Sequence, residues 1–346
     1  MITRRLLLLC AGATLSLTSA CKKTAPHAAR VYVSNEADGT VSVIDTAAQR
    51  VMTTIPVGKR PRGLHVSHDG HRLYVALSGS PRGGPGVDES TLPPADRTAD
   101  GIGVIDLDNL TLEKTISSGQ DPESFDLVGD GELVVSNEET AEASIVDLDK
   151  GAVRARVPVG REPEGVTTDP DGALVYVTSE TDNKVSVIDP RATKDVADIP
   201  TGVRPRGIAF SRDGARAFVT DEGDASITVI DTKSKTAVGR IQLPTQGGPI
   251  PPRPMGVALS PDGRRLYVTT GRAGTVAVLD AKTQAIIRVI PGVGARPWGI
   301  AAGPDGKLYT ANGSSNDVSI IDPDDGHVVS RLHVGNLPWG VAIDRR

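Results

Sequence analysis

Short apolar runs recur along the chain, each bounded by glycine, proline, asparagine or aspartate. One unit reads "YVTSETDNKVSVIDPRATKDVADIPTGVRPRGIAFSRDG", from Tyr176 to Gly214. Its apolar residues alternate with polar ones or fill short continuous runs, and valine and isoleucine dominate. That is the pattern of half-buried and fully buried β-strands. Four strands are predicted per unit. "GIAF" is the inner strand, "LYVT"-like segments are the second, "VSVID" is the third, and weaker runs such as "AVGRIQL" are the outer strand. Asp-Gly pairs follow the inner strands at Asp69-Gly70, Asp130-Gly131, Asp171-Gly172, Asp213-Gly214, Asp262-Gly263 and Asp305-Gly306. Such a pair between apolar runs predicts a tight hairpin, because glycine reaches positive φ without steric cost. The repeat shows no helical periodicity.

Two markers count the units. An acid ends each "VSVID"-like strand, at Asp45, Asp106, Asp147, Asp189, Asp231, Asp280 and Asp322. A proline marks an "xPxG"-like turn, at Pro61, Pro122, Pro163, Pro205, Pro254, Pro297 and Pro338. The usual spacing of 41 to 43 residues is that of a β-propeller with four strands per blade. Seven markers predict seven blades in an all-β fold. The chain starts on a second strand, "VYVSN" at Val31–Asn35, and ends on an inner strand, "GVAID" at Gly340–Asp344. The C-terminal inner strand is therefore expected to join the three N-terminal strands and close the ring, leaving no broken blade.

Three segments are expected. Residues 1–20 carry Arg4 and Arg5, an apolar run and a small-residue end, the pattern of an export signal. "LTSAC" resembles a bacterial lipobox, which implies cleavage before Cys21 and lipid on its thiol; an ordinary cleavable signal is the alternative. Residues 21–29 read as the lipidated cysteine and a tether, and residues 30–346 as the propeller. Cys10 and Cys21 are the only cysteines, so the mature domain has no disulfide, cysteine-ligated metal or thiol chemistry. Losing Arg4 and Arg5 leaves 36 basic against 43 acidic residues, a net charge of −7. That balance disfavours nonspecific binding to nucleic acid.

The "xPxG" turns join outer to inner strands and are expected to ring the mouth of the axial channel. The residue after each proline is, in order, Arg62, Glu123, Glu164, Arg206, Met255, Trp298 and Trp339. One arc is charged and the other is apolar, with the only two tryptophans as neighbours. A concave site with an apolar wall and a few polar groups suits a ligand, and tryptophan and arginine suit a partner. The structural alternative is channel packing, with Arg62–Glu123 and Glu164–Arg206 as neutralising pairs between blades. Two insertions, at 79–101 and within 231–254, are expected to extend from the same face. Second strands end at Glu36, Glu138, Glu180 and Glu222, with Gly79, Gly271 and Gly313 at the matching positions elsewhere. These acids read as a solvated rim; no compact calcium motif is present, and no metal is expected. His65, His68 and His71 straddle a turn on the opposite face and do not read as a metal site.

"LYVALSG", "VYVTSE", "LYVTTG" and the "VSVID" strands resemble the YVTN-type β-propeller family across the mature chain. The turn series "RPRG", "DPES", "EPEG", "RPRG", "RPMG", "RPWG", "LPWG", with "NGSSNDVSIID", resembles the propeller proteins associated with PQQ-dependent catabolism. The insertion at 79–101 departs from that pattern. The resemblance implies an exported, envelope-anchored monomer accessory to quinoprotein alcohol oxidation. It would dock a periplasmic partner such as a quinoprotein dehydrogenase or a transport component, with no cofactor of its own. The alternative is a small-molecule sensor or a lactonase-like enzyme at the channel mouth, with Glu123 or Glu164 as general base beside Arg62 or Arg206. Nucleic-acid binding is a third reading that the acidic balance opposes.

Overall fold

The computed structural model describes residues 29–83, 88–245 and 250–344. The predicted leader 1–20, Cys21 and tether residues 22–28 lie outside them. Seven four-stranded antiparallel sheets are present. Four three-residue 3-10 turns are the only helical segments among the described residues. The fold is the expected all-β, seven-bladed propeller.

Blade 1 unites both ends of the chain. Its inner strand is Pro338–Ile343, followed outward by Arg30–Asn35, Thr40–Asp45 and Arg50–Pro56. Val31 pairs with Ile343 and Val33 with Val341, so the ring closes as the sequence predicts. Blades 2 to 7 start with the inner strands Pro61–Val66, Pro122–Val128, Pro163–Thr168, Pro205–Phe210, Pro254–Leu259 and Pro297–Ala302. Each blade then runs outward in chain order. The Asp-Gly turns form with glycine at positive φ in five of the six expected places. In blade 3 the left-handed position falls on Gly129, one residue before Asp130.

The apolar core lies between blades rather than within them. Tyr32, Val41 and Val43 of blade 1 pack against Leu73, Val75 and Ile105 of blade 2, and analogous layers follow around the ring. One position of the second strand supplies the largest of these side chains. All five tyrosines of the chain and Phe218 occupy it, at Tyr32, Tyr74, Tyr176, Phe218, Tyr267 and Tyr309, while blade 3 uses Val134. Burying an aromatic of that size stabilises by roughly 1.5–3 kcal/mol, so six of the seven interfaces share one large anchor.

The end of the second strand carries a buried polar residue. In blade 1, Asn35 accepts a hydrogen bond from the Gly335 N–H at 3.1 Å and donates to Ser42 at 2.9 Å. Blade 5 places Asp221 there. It accepts from Gly202 N–H at 3.1 Å and Thr228 Oγ1 at 2.7 Å. Burial pushes its carboxyl up to about 6, against those hydrogen bonds. A raised carboxyl pKa means that the ionised form is disfavoured in the fold. The penalty is absent below the ordinary value and fully present above about 6. Asp221→Asn is therefore expected to stabilise the protein by about 1–3 kcal/mol above pH 7, since the amide can copy the Asn35 pattern. The gain should vanish near pH 4. Thermal unfolding of both proteins at the two pH values checks this, and a gain independent of pH would contradict it.

Candidate functional site at the channel mouth

The inner strands present the site through a repeated irregularity. In all seven blades the pairing register shifts between the turn proline and the residue three positions on, as between Pro61 and Leu64. The two residues between them form a β-bulge, which re-aims the side chain after the proline. The bulge glycines let neighbouring inner strands approach closely. A Cβ on Gly165 would strike the carbonyl of Arg206, on Gly256 that of Trp298, and on Gly340 that of Arg62.

A hydroxyl on the second strand locks this approach. Ser34 accepts from Gly340 N–H at 2.9 Å and donates to the Arg62 carbonyl at 2.7 Å. Thr178 links Gly165 N–H to Arg206, Thr220 links Gly207 to Met255, and Thr269 links Gly256 to Trp298. Ser136 does the same between Ser124 and Glu164. Ala76 and Ala311 hold the equivalent positions in blades 2 and 7, where the relay is missing.

The residue before each proline is also constrained. Arg60, Asp121, Glu162, Arg204, Arg296 and Leu337 have φ between 40 and 58°. This left-handed backbone costs about 1–3 kcal/mol for a residue with a side chain. It persists because the carbonyl of that residue accepts from the residue after the second strand in five of the six, for example Leu337 from Glu36 and Arg204 from Glu222, both at about 3 Å. Arg253, at the end of the second insertion, is the exception and has no positive φ. In blade 2 this pairing is shifted: Ser78, not Gly79, follows the second strand, which ends at Leu77, and the Ser78 N–H donates to the Lys59 carbonyl. The match of Gly79 to Glu36 is corrected accordingly.

Three rings of side chains thus converge on one cup of about 1400 Å³. Arg62, Glu123, Glu164, Arg206, Met255, Trp298 and Trp339 all line it. Both insertions contribute, through residues such as Pro81, Leu92 and Arg97 and through Ile250 and Arg253. The first insertion is braced against the wall, since Arg97 meets Asp100 at 3.2 Å and Glu139 at 2.5 Å, and Arg60 donates to the Ser80 carbonyl at 2.7 Å. Below the cup the axis narrows to a space of about 180 Å³, ringed by the bulge glycines, and Trp339 borders both.

The charged arc is a pair of arginine-centred knots. Arg62 contacts Glu123, and lies 3.3 Å from Glu36 and 3.6 Å from Glu138. Arg206 contacts Glu164, and lies 3.0 Å from Glu180 and 2.9 Å from Glu222. The neutralising pairs considered from sequence do form, but each is one edge of a larger cluster. Glu123 is 1% and Glu180 4% exposed, so part of the acidic rim is buried rather than solvated. Both arginines are held above their ordinary pKa by the carboxylates around them, against the opposing effect of burial. Burial, with Glu164, Asp121 and Glu162 nearby, pushes the Glu138 carboxyl up to about 7, against the pull of Arg62. Asp121, Glu123 and Glu138 bring one oxygen each within 4.8 Å of one another, which a hard cation could use. Arg62 already places a guanidinium against two of them.

The apolar arc is a ledge. Trp298 and Trp339 stack with centroids 5.8 Å apart and planes 25° from parallel, and both are half-buried. The Arg296 guanidinium lies 4.8 Å from the Trp298 ring and that of Arg206 5.5 Å. Partial desolvation, with Arg206 and Arg272 nearby, holds Arg296 below its ordinary pKa despite Glu222 and Glu36. That direction is opposite to Arg62 and Arg206, and Arg296 has no ion pair among the described residues. Sequence reasoning missed Arg60, Arg204 and Arg296, although the same repeat alignment holds them one place before the prolines.

Removing a cation from a knot should be costly. Arg206→Met would leave Glu164 without a counter-charge, close to Glu180 and Glu222, which keep only Arg204 and, for Glu222, Arg253. The expected loss is about 3–5 kcal/mol at pH 7, shrinking in acid as the carboxylates protonate. Chemical denaturation at both pH values measures it, and an unchanged midpoint would show that the knot is not structural.

The fold is shared widely. The Pseudomonas aeruginosa periplasmic gluconolactonase PpgL superposes with a TM-score of 0.72 at 21% identity, covering 91% of this chain and 99% of that one. Kuenenia stuttgartiensis hydrazine synthase gives 0.71 at 20% identity, over 84% and 91%. A putative 6-phosphogluconolactonase from Bacteroides uniformis gives 0.70 at 16% identity, over 91% and 99%. A 47-residue stretch is 45% identical to the PE-PGRS family protein PE_PGRS18 of Mycobacterium tuberculosis, spanning 14% of this chain but 10% of that protein. Two family models each match more than half of the chain: the Virginiamycin B lyase family over residues 110–336 and the choice-of-anchor I domain over residues 13–199. The chain therefore belongs to the β-propeller family that these two models describe.

Proposed function

We propose that this protein is a non-catalytic binding module whose recognition surface is the cup at the channel mouth. The observation that carries this reading is convergence: seven variable ring residues and both insertions line one cavity with a stacked tryptophan wall. Rigid blades holding irregular loops around a concavity are a common way to build recognition sites. Glu123 and Glu164, the general bases of the alternative enzyme reading, are each held by an arginine, which leaves them poorly suited to take a proton.

The resemblance to propellers of PQQ-dependent catabolism supports the setting. In this reading the chain is exported, lipid-anchored through Cys21, and faces the periplasm as a monomer. It presents the cup to a quinoprotein dehydrogenase or to a transport component of that pathway. The cup's nine arginines are matched by nine carboxylates, so it carries no net positive charge to hold a nucleic-acid backbone.

Crosslinked affinity capture from the native envelope tests the reading. Wild type is expected to retain a quinoprotein dehydrogenase or a transporter component. The Trp298→Ala/Trp339→Ala protein should lose it with little change in thermal midpoint. A loss approaching the roughly 3–5 kcal/mol of a truncated core aromatic would instead assign the pair to channel packing.

Glu138 favours a second reading. Its carboxyl, raised to about 7 and partly open to the cup, suits a general base for lyase- or lactonase-type chemistry. In that case turnover of a cyclic ester should rise through about pH 7 and be lost in Glu138→Gln.

A further inference from the structure

The charges of the cup are balanced in number but not in position. Blades 3 and 4 contribute seven carboxylates and no arginine to its lining. Blades 6 and 7 contribute Arg253, Arg272 and Arg296 and no carboxylate. The arginines of blades 2 and 5 occupy the acidic side, as the two knots show. Arg253 reaches Glu222 at 3.6 Å, whereas Arg272 and Arg296 have no ion pair among the described residues. Beside them stands the Trp298–Trp339 ledge.

We infer that the blade 6 and 7 side of the cup binds a small planar carboxylate: an aromatic or conjugated ring bearing carboxyl groups. This rests on the reading of the cup as the recognition surface and adds the class of molecule recognised. The indole wall selects for a flat π-surface, which stacks at little conformational cost. Arg296 and Arg272 select for charge, and a guanidinium fork meets a carboxylate through two parallel hydrogen bonds. Arg206 also lies over Trp298, but its charge is engaged by Glu164, Glu180 and Glu222. The acidic opposite wall limits the size of the anion. A long polyanion crossing the cup would meet seven carboxylates, whereas a single-ring ligand on the ledge would not.

The molecule supplies its own reporter, because Trp298 and Trp339 are the only tryptophans in the chain. Intrinsic fluorescence therefore reads the ledge alone. The probe is trimesate, a planar benzene ring with three carboxylates. Its saturated analogue, cyclohexanetricarboxylate, keeps the charge without the flat face, and benzenetrimethanol keeps the ring without the charge. Trimesate is expected to quench saturably, and each control to bind at least about tenfold more weakly. Arg296→Gln and Arg272→Gln should each weaken trimesate by about tenfold, with circular dichroism unchanged. Equal binding of the neutral ring, equal binding of the saturated acid, or no saturable quenching of folded protein would overturn the inference. The two readings separate cleanly. If tryptophan-dependent capture of the pathway partner persists while trimesate fails, the cup remains the recognition surface and the ligand class is wrong. If trimesate binds and capture fails, the ligand class stands without the partner.

Discussion

Everything at the channel mouth depends on one backbone contact. A small bulge residue on each inner strand, glycine in six blades and Ser124 in blade 3, lets the next strand come close, and in five blades a serine or threonine hydroxyl bridges the two. The hydroxyl accepts from the residue that follows the ring position in its own blade and donates to the carbonyl of the ring residue in the next. Around most of the propeller this forms a directional relay, from Ser34 to Arg62, Ser136 to Glu164, Thr178 to Arg206, Thr220 to Met255 and Thr269 to Trp298. Because the anchor is a main-chain carbonyl, it is indifferent to the side chain attached. The scaffold can therefore hold arginine, glutamate, methionine or tryptophan in one geometry. That separation lets a repetitive fold carry an asymmetric site.

The charged arc shows how the asymmetry is tolerated. Two arginines at 11% exposure would be costly if isolated, and so would the carboxylates near them. Each knot solves both problems by placing one guanidinium among three acids. Such clusters add little net stability compared with an apolar filling, but their hydrogen-bond geometry fixes where each side chain points. The clusters also bind blades 2 to 3 and 4 to 5 together at the axis. Blade 2 lacks the hydroxyl relay, having Ala76 in place of a serine, and its interface with blade 3 is bridged by the Arg62–Glu123 pair instead. At that joint the ion pair stands where the hydroxyl is missing, whereas the joint of blades 4 and 5 has both Thr178 and the Arg206–Glu164 pair.

The fold was legible because its determinants are local and repeated. Val and Ile runs, Asp-Gly hairpins and the proline spacing each act within one blade, and seven copies average out the exceptions. Ring closure was legible for the same reason, as a missing inner strand at one end and a surplus one at the other. The ring residues were legible as positions but not as partners. Nothing in "RPRG" distinguishes Arg60, which lies against Glu36 and Asp121, from Arg296 in "RPWG", which has no ion pair among the described residues. That difference arises between blades, where spacing carries no information. The register is hidden where an insertion begins: Ser78 and Gly79 are adjacent, and only the pairing of Leu77 with Gly101 decides which one follows the strand. Burial of Glu180 and the raised Glu138 were likewise invisible, since exposure of a charged residue depends on what the neighbouring blade places over it.

The tryptophan ledge couples the site to the closure of the ring. Trp339 lies on the terminal inner strand, and Trp298 on the inner strand just before it around the axis. Ala311 leaves this joint without the hydroxyl relay, so the stacked indoles add contact where the backbone clasp is absent. The strand bearing Trp339 is held on its other side by Ser34 and by Asn35, both from the first described strand of the chain. The ledge therefore forms only when the last strand has joined the first. Without that closure the acids of blades 3 and 4 and Trp298 have their strands, but Trp339 has no place to stack. Placing one of the two stacked indoles on the closing strand makes a complete site a property of the closed ring alone.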